Sequence, residues 1–91
     1  MDLEWDPEKE KINITKHGLS FSEAMTVFGD PLELTIADPG HSEGEYRYIS
    51  IGLTSTSQLL VVSYTERDER IRIISARPAT PGERKQYESG T

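Results

Sequence analysis

Cysteine is absent from the 91 residues. That removes disulfide staples, thiolate nucleophiles and Cys-based zinc sites together, and it agrees with a reducing compartment. Histidine is nearly absent as well: His17 and His41 are the two in the chain, without the spacing of metal ligands, so no metal is expected. Long apolar runs are missing. The longest, Leu59-Leu60-Val61-Val62, is far short of a membrane span, and the first residues alternate charge instead of carrying an apolar leader. A soluble, cytoplasmic chain is expected, with no membrane contact. Nor is there a phosphate-cradling glycine loop, a nucleophile elbow or a zincin histidine pair. No repeat, low-complexity tract or dividing linker appears. With 34% hydrophobic residues the chain can build one thin two-layer core, read as a single domain over residues 1–91. It cannot build a substrate domain beside a cofactor domain, so no cofactor is expected.

What is present is acid. Ten basic residues face 16 acidic ones, a net charge of −6, which is a poor global match for phosphate polymers. The distribution is uneven. Residues 1–66 hold Lys9, Lys11, Lys16 and Arg47 against twelve acids, a balance of −8. Residues 70–87 hold Arg70, Arg72, Arg77, Arg84 and Lys85 against Glu83 alone, a balance of +4. A basic C-terminal part on an acidic body permits a local anion site; solvated surface arginines are the plainer alternative.

Hydropathy periods give the elements. Leu3 and Trp5 alternate with acids in a short opening strand. Asp6-Pro7 then starts a helix: the aspartate can accept from free amides, and proline fits the first helical position. Gly18 stops it. Ser20-Phe21-Ser22-Glu23 predicts a capping box, followed by an apolar stripe of Phe21, Ala24, Met25 and Phe28 that ends at Gly29-Asp30-Pro31. From Leu32 the period becomes two. Leu32, Leu34 and Ile36 mark a strand; Asp38 to Gly44, with His41 inside it, is a turn-rich loop. Arg47, Ile49, Ile51 and Leu53 share one face of the next strand. Leu59 to Tyr64 is apolar on both faces, as an interior strand would be. A charged hairpin at Glu66–Glu69 leads to a strand over Arg70–Ala76, and Thr80-Pro81-Gly82-Glu83 starts a last helix. Strands joined by short turns predict an α+β fold, an antiparallel sheet with two N-terminal helices and one C-terminal helix packed on it.

Arginine is the most informative candidate for chemistry. Strict alternation puts Ile71, Ile73, Ser75 and Arg77 on one strand face and Arg72, Ile74 and Ala76 on the other. Arg72 thereby interrupts an apolar face, where a guanidinium must be paired or look into a cleft. Arg77 lies where the chain leaves the sheet, and Arg84 and Tyr87 share one side of the last helix. A structural salt bridge is the alternative for each. Lys16-His17-Gly18 sits at a helix C-terminus, where the macrodipole favours cations, and histidine is the natural proton-transfer side chain. Trp5 and Tyr64 can stack on bases or belong to the core.

The ordered set Trp5-Asp6-Pro7-Glu8-Lys9, Asn13, Lys16-His17-Gly18, Phe21-Ser22-Glu23-Ala24 and Val27-Phe28-Gly29-Asp30-Pro31 resembles the BrnT family of small bacterial toxins. So do Glu43-Gly44-Glu45 with Arg47, Ile51-Gly52, Val61 through Glu66, Ile71 through Arg77, and Glu83-Arg84 with Tyr87-Glu88. The resemblance implies a RelE-like fold and a ribonuclease toxin of a type II toxin–antitoxin system, cutting RNA and inhibiting translation. It implies a BrnA-like antitoxin partner with a ribbon-helix-helix part, through which alone operator DNA would be bound. Carried onto this chain, the catalytic candidates are Lys16, His17, Tyr64, Arg72 and Arg77, with Arg47, Arg84 and Trp5 as RNA-binding candidates. One departure stands out: Pro78, Pro81 and Gly82 occupy a region that is rich in Lys and Arg in the family, which weakens the expected grip on RNA.

The implied chemistry needs no metal. The 2′-OH attacks the adjacent phosphorus, leaving a cyclic phosphate and a 5′-OH. Guanidinium forks at Arg72 and Arg77 suit the charge on the phosphorane, and His17, helped by Tyr64 or Lys16, suits proton transfer. This requires the scattered arginines to meet in one open hollow. The rival reading is an inactive toxin-fold protein that binds an antitoxin as co-repressor. A lone DNA-binding regulator fits poorly, since the body is acidic and no helix-turn-helix pattern occurs.

Overall fold

The computed structural model describes residues 2–38 and 46–90. Five strands form one sheet: β1 (Asp2–Trp5), β2 (Leu34–Ala37), β3 (Arg47–Leu53), β4 (Leu59–Arg67) and β5 (Arg70–Pro78). Three helices accompany them: α1 (Pro7–His17), α2 (Phe21–Ala24) and α3 (Pro81–Ser89). The turn-rich loop expected beyond Asp38, with His41 and Glu43-Gly44-Glu45, lies outside the described residues.

The helix boundaries follow the local chemistry. Asp6 accepts from the Glu8 amide and Pro7 occupies the first turn of α1. Gly18 ends the helix at φ +70°, in the left-handed region that glycine tolerates best. Thr80 and Glu83 make a complete reciprocal box at the start of α3. The box expected at Ser20 is only half formed. Ser20 accepts the Glu23 amide, but the Glu23 carboxylate takes the Thr56 hydroxyl, and Glu10 of α1 accepts the Phe21 amide instead. α2 is correspondingly short and tightens into a 3₁₀ turn over Met25–Gly29.

Strand order is β1-β5-β4-β3-β2. Every pair is antiparallel except β1 with β5, which is parallel. The expectation of an antiparallel sheet is therefore corrected to a mixed one. The reason is the connection: α1 and the long return through β2, β3 and β4 bring β5 back beside β1 in the same direction, and four alternating residues carry no information about their partner's direction.

A second correction concerns β5. Ser63 pairs with Ser75 but Tyr64 pairs with Ile73, so Ile74 is an extra, bulged residue, and everything beyond it changes face. Ala76, not Ser75 or Arg77, joins Ile71 and Ile73 in the core. Arg72 and Arg77, expected on opposite faces, stand on the same one.

The core has two layers. One sheet face carries Leu60, Val62, Tyr64, Ile71, Ile73 and Ala76 against Leu19, Phe21, Ala24 and Val27 from the α2 region. On the other, Ile51, Leu59 and Val61 pack with Leu34, Ile49, Ala79 and Tyr87. α3 covers only one end of that second face. Among the described residues no helix is long and apolar enough to cross a membrane.

Candidate active site

β1 pairs with β5 only as far as Ile73. Past that point the outer edge of β5 would expose its amides, and α1 takes the strand's place. Asn13 is the joint: its Oδ1 accepts the Ala76 amide at 3.0 Å, and its Nδ2 donates to the Leu19 carbonyl at 2.9 Å. Asn13 is buried, so both bonds are shielded from water. Because α1 stands beside the sheet edge here instead of lying flat on it, a cleft of about 400 Å³ opens along the seam.

Lys9, Ile12, Asn13, Lys16 and His17 line it from α1, and Ile74, Ser75 and Arg77 from β5. Lys9, Ile12, Asn13 and Lys16 fall at i, i+3, i+4 and i+7 and so share one helix face. His17 follows at the helix C-terminus, where the backbone dipole favours positive charge. None of the eight lining residues is acidic, although the chain carries a net −6.

Arg77 closes one end of the cleft. Its Nη1 and Nη2 both donate to the Glu83 carboxylate at 2.8 Å, and Nη1 also reaches the Pro78 carbonyl at 3.3 Å. The hydrogen bonds to Glu83 raise the Arg77 pKa and keep the guanidinium charged. In return, the Arg77 fork, helped by the Thr80 amide, holds the Glu83 carboxyl down at about 2. The side chain of Arg77 is still 41% exposed, so its outer edge is open to a ligand.

Three sequence candidates thus meet in one place: Lys16, His17 and Arg77. The others do not. Arg72 lies farther along β5, where its Nη1 donates to Glu4 at 2.8 Å. Arg47, at the start of β3, pairs with Thr65 of β4, which in turn pairs with Arg72 of β5, so Arg47 lies on the same side of the sheet as Arg72. Tyr64 is buried on the opposite, helix-covered face. Its hydroxyl accepts from Ser50 at 3.2 Å, its ring stacks on Tyr48 and meets Phe28 edge-on, and burial pushes its pKa up. Trp5 packs edge-on against Phe21 at 6.1 Å, a core contact. Arg84 is exposed on α3. The arginines expected in one hollow are divided, and two of them are held by acids of their own chain.

Lys9 was not among the sequence candidates, yet it lines the cleft; its seven-residue spacing from Lys16 on an otherwise well-capped helix was the available signal. Nothing local could have pointed to Glu4, 68 positions from Arg72. Among the described residues no cluster of three or more His, Asp or Glu is placed to hold a metal ion.

Comparison with known proteins gives a family. The model of the family described as the ribonuclease toxin BrnT of type II toxin–antitoxin systems matches residues 5–83. The crystal structure of the Brucella abortus ribonuclease toxin BrnT superposes with a TM-score of 0.64 at 25% identity, covering 88% of this chain and 97% of that one. No curated protein matches the sequence.

Proposed function

The chain belongs to the BrnT family of ribonuclease toxins of type II toxin–antitoxin systems, and from that footing we propose that it cuts RNA in the cleft between α1 and the β5 edge. The observation that carries this reading is the lining itself: Lys9, Lys16, His17 and Arg77 converge there without a carboxylate among the lining residues, in a chain whose residues 1–66 carry a balance of −8. Such a lining suits a phosphodiester and disfavours most other ligands.

The residues divide the work by chemistry. His17 takes the proton from the 2′-OH as it attacks the adjacent phosphorus, or delivers one to the departing 5′ oxygen. Lys16 and Lys9 supply positive charge to the phosphorane from flexible stems. Arg77 presents fixed N–H donors. Its charge is already balanced by Glu83, so it serves as a pre-aimed donor more than as a net cation. Ser75 lines the floor, where its hydroxyl can accept or donate to a ribose. Cleavage by this route leaves a 2′,3′-cyclic phosphate and a 5′-OH and draws on no metal.

As a type II system member, the protein has an antitoxin partner. We take that partner to be BrnA-like, with a ribbon-helix-helix part that alone contacts operator DNA, and the helix-on-sheet arrangement to be RelE-like. The target, on this reading, is messenger RNA in the cytoplasm, with inhibition of translation as the consequence.

Purified protein incubated with RNA in excess EDTA tests the proposal. Wild type is expected to yield cyclic-phosphate ends, His17→Ala to lose at least about 100-fold in rate, and Lys16→Ala and Arg77→Ala to lose activity as well. Unchanged cleavage by all three variants would place the chemistry elsewhere. One observation favours a second reading, an inactive partner of the antitoxin: Arg72 and Arg77 are each engaged by a glutamate of the same chain. No cleavage by wild type, with tight binding to the small protein encoded beside it, would select that reading.

A further inference from the structure

Two of the side chains lining the cleft take no part in phosphate chemistry: Ile12 of α1 and Ile74 of β5. They are its apolar pair, one on each wall, set among Lys9, Lys16, His17 and Arg77. Ile12 is 64% exposed and belongs to neither core cluster, so folding gains little from it. Ile74 is half-buried and is the residue that the β5 bulge inserts, since Ser63 pairs with Ser75 but Tyr64 with Ile73. A bulge re-aims the side chain it adds. Here the extra residue lines the cleft, while Ile73 and Ala76 on either side of the bulge stay in the core.

The two walls run in the same sense. β1 stops beside Ile73, the chain continues into α1, and Asn13 of that helix meets the Ala76 amide. Ile12 therefore stands level with the Ile74–Ser75 stretch. Lys16, about 6 Å farther along the helix, comes level with Arg77, and His17 follows it. From Ile12 onward along α1, and from Ile74 onward along β5, each wall passes from an apolar group to a cationic one, with the Ser75 hydroxyl between. A nucleotide has the same order: a base with flat apolar faces, a ribose with its 2′-OH, then a phosphate. The cleft volume of about 400 Å³ lies at the small end of ligand cavities, enough for one nucleotide and too little for a duplex.

We propose that Ile12 and Ile74 form a slot for the base of the nucleotide whose 2′-OH attacks, and that this slot makes the substrate single-stranded RNA cut after a purine. The slot rests on the ribonuclease reading of the cleft and names the substrate class for it. Two branched side chains on facing walls offer methyl surface to both faces of a flat ring. Nothing beside them reads the ring's edge: both ends of the Asn13 amide are engaged within the chain, and Ser75 faces the ribose. Preference then follows the area of the ring system, as in stacking without hydrogen-bond readout, and two fused rings cover more of each isoleucine than one. In a duplex both faces of every base are covered by its neighbours, so only a base splayed out of the stack can enter. An apolar hold also suits a chain of net charge −6, because burial of apolar surface is not opposed by the chain's own acids.

The test uses the full chain and two fluorescein-labelled, fully 2′-O-methylated 12-nucleotide RNAs, oligo-A and oligo-U, which cannot be cleaved, followed by anisotropy across a salt series. Wild type is expected to bind oligo-A about tenfold more tightly than oligo-U. Ile12→Ala and Ile74→Ala are each expected to remove that difference while leaving the slope of log K against log salt unchanged, since no phosphate contact is lost. Ile12→Trp, with a larger stacking surface, is expected to tighten oligo-A binding, a gain that misfolding cannot produce. Cleavage is then read on 2′-O-methylated 12-mers with one ribonucleotide, carrying either adenine or no base. Wild type is expected to cut the adenine substrate about tenfold faster than the abasic one, and Ile12→Ala to cut both at the slower rate. Losses of equal size on both substrates mean that Ile12 only shapes the cleft, and overturn the slot. Equal wild-type affinity for the two oligomers overturns it, as does failure to bind either. Unchanged RNA binding in the alanine variants with lost binding of the antitoxin makes the pair a protein seat and also overturns it. Binding shifts as expected in a protein that cleaves neither substrate would retain the slot and discard the catalytic reading; cleavage of both substrates at one rate would do the reverse.

Discussion

Asn13 completes the sheet for Ala76. The asparagine Oδ1 lies 3.0 Å from an edge amide that β1 is too short to reach, and its Nδ2 ties the same helix to the Leu19 carbonyl. Both bonds are buried, so replacing Asn13 strands an amide and a carbonyl at once. Asn13→Ala is expected to cost about 2–4 kcal/mol, two buried groups left without partners, measured as a lower urea midpoint. Asn13→Asp keeps the acceptor for Ala76 but removes the donor to Leu19 and buries a charge, so it is expected to be no milder than the alanine change. Because the cleft exists only while α1 stands at this edge, RNA cleavage should fall in both variants at temperatures where the wild type is still folded.

The Arg77–Glu83 fork sets an acid limb. Glu83 is held at about 2 in the folded chain, below the 4.5 of an unperturbed glutamate, so folding favours its ionised form. The stabilisation is fully present above about pH 4.5 and is lost as pH falls toward 2. Since Arg77 is substantially exposed, solvent screening reduces the pair to on the order of 1 kcal/mol. Glu83→Gln is expected to lower stability at pH 7 by that amount and to narrow the gap from wild type as pH is taken below 4, read by thermal melts at each pH.

Most of the fold could be read along the chain, since its determinants are local. Asp6, Gly18 and Thr80 bound α1 and α3 through their own side chains or backbone, and two-residue alternation, or for β4 a run apolar on both faces, marked the strands. What escaped was non-local or a single inserted residue. The parallel partnership of β1 depends on a strand 68 positions away. The Ile74 bulge breaks a period of two with no glycine or proline to announce it; the Ile73-Ile74 doublet followed by Ala76 was its only trace. For the candidate site, the helix signature Lys16-His17 and the strand-end Arg77 were legible and are brought together. Tyr64 was legible as a core alternative at the end of the Leu59–Tyr64 run and is buried there; its partners Ser50, Tyr48 and Phe28, which come from other elements, were not. Of the acids that hold the arginines, Glu4 looked like ordinary strand-edge charge, and Glu83 was legible as a helix cap but not as the partner of Arg77.

Gly52 marks the closest approach of β3 to the 3₁₀ turn. A Cβ there would lie 2.8 Å from Val27 Cγ1 and 3.3 Å from Asp30 Oδ2. Val27 is fully buried and cannot swing aside, so the strand and the turn would have to separate. Gly52→Ala is expected to destabilise by about 1–3 kcal/mol through overpacking, and Val27→Ala in the same chain to recover part of that loss. Additive losses in a double-mutant cycle would show that Gly52 matters for a reason other than this contact.

Tyr87 fastens α3 to the body through Asp30. Its hydroxyl donates to Asp30 Oδ2 at 2.6 Å, and the same carboxylate accepts the Leu53 and Leu32 amides. Burial works to raise the Asp30 pKa, but these three donors outweigh it and leave it below its ordinary value. The hydrogen bond to Asp30 in turn pushes the Tyr87 phenol up to about 12, since losing its proton would set two anions side by side. The folded state therefore keeps this proton where the unfolded chain, near pH 10, begins to release it. The contribution is whole below pH 10 and disappears as pH rises to about 12. Tyr87→Phe is expected to cost about 1 kcal/mol at neutral pH, one hydrogen bond to a charged acceptor that retains two others, and to flatten the fall in stability between pH 10 and 12. If wild type and Tyr87→Phe lose stability in parallel over that range, the clamp on α3 lies in the apolar contacts of Tyr87 and Ala79 and not in the Asp30 bond.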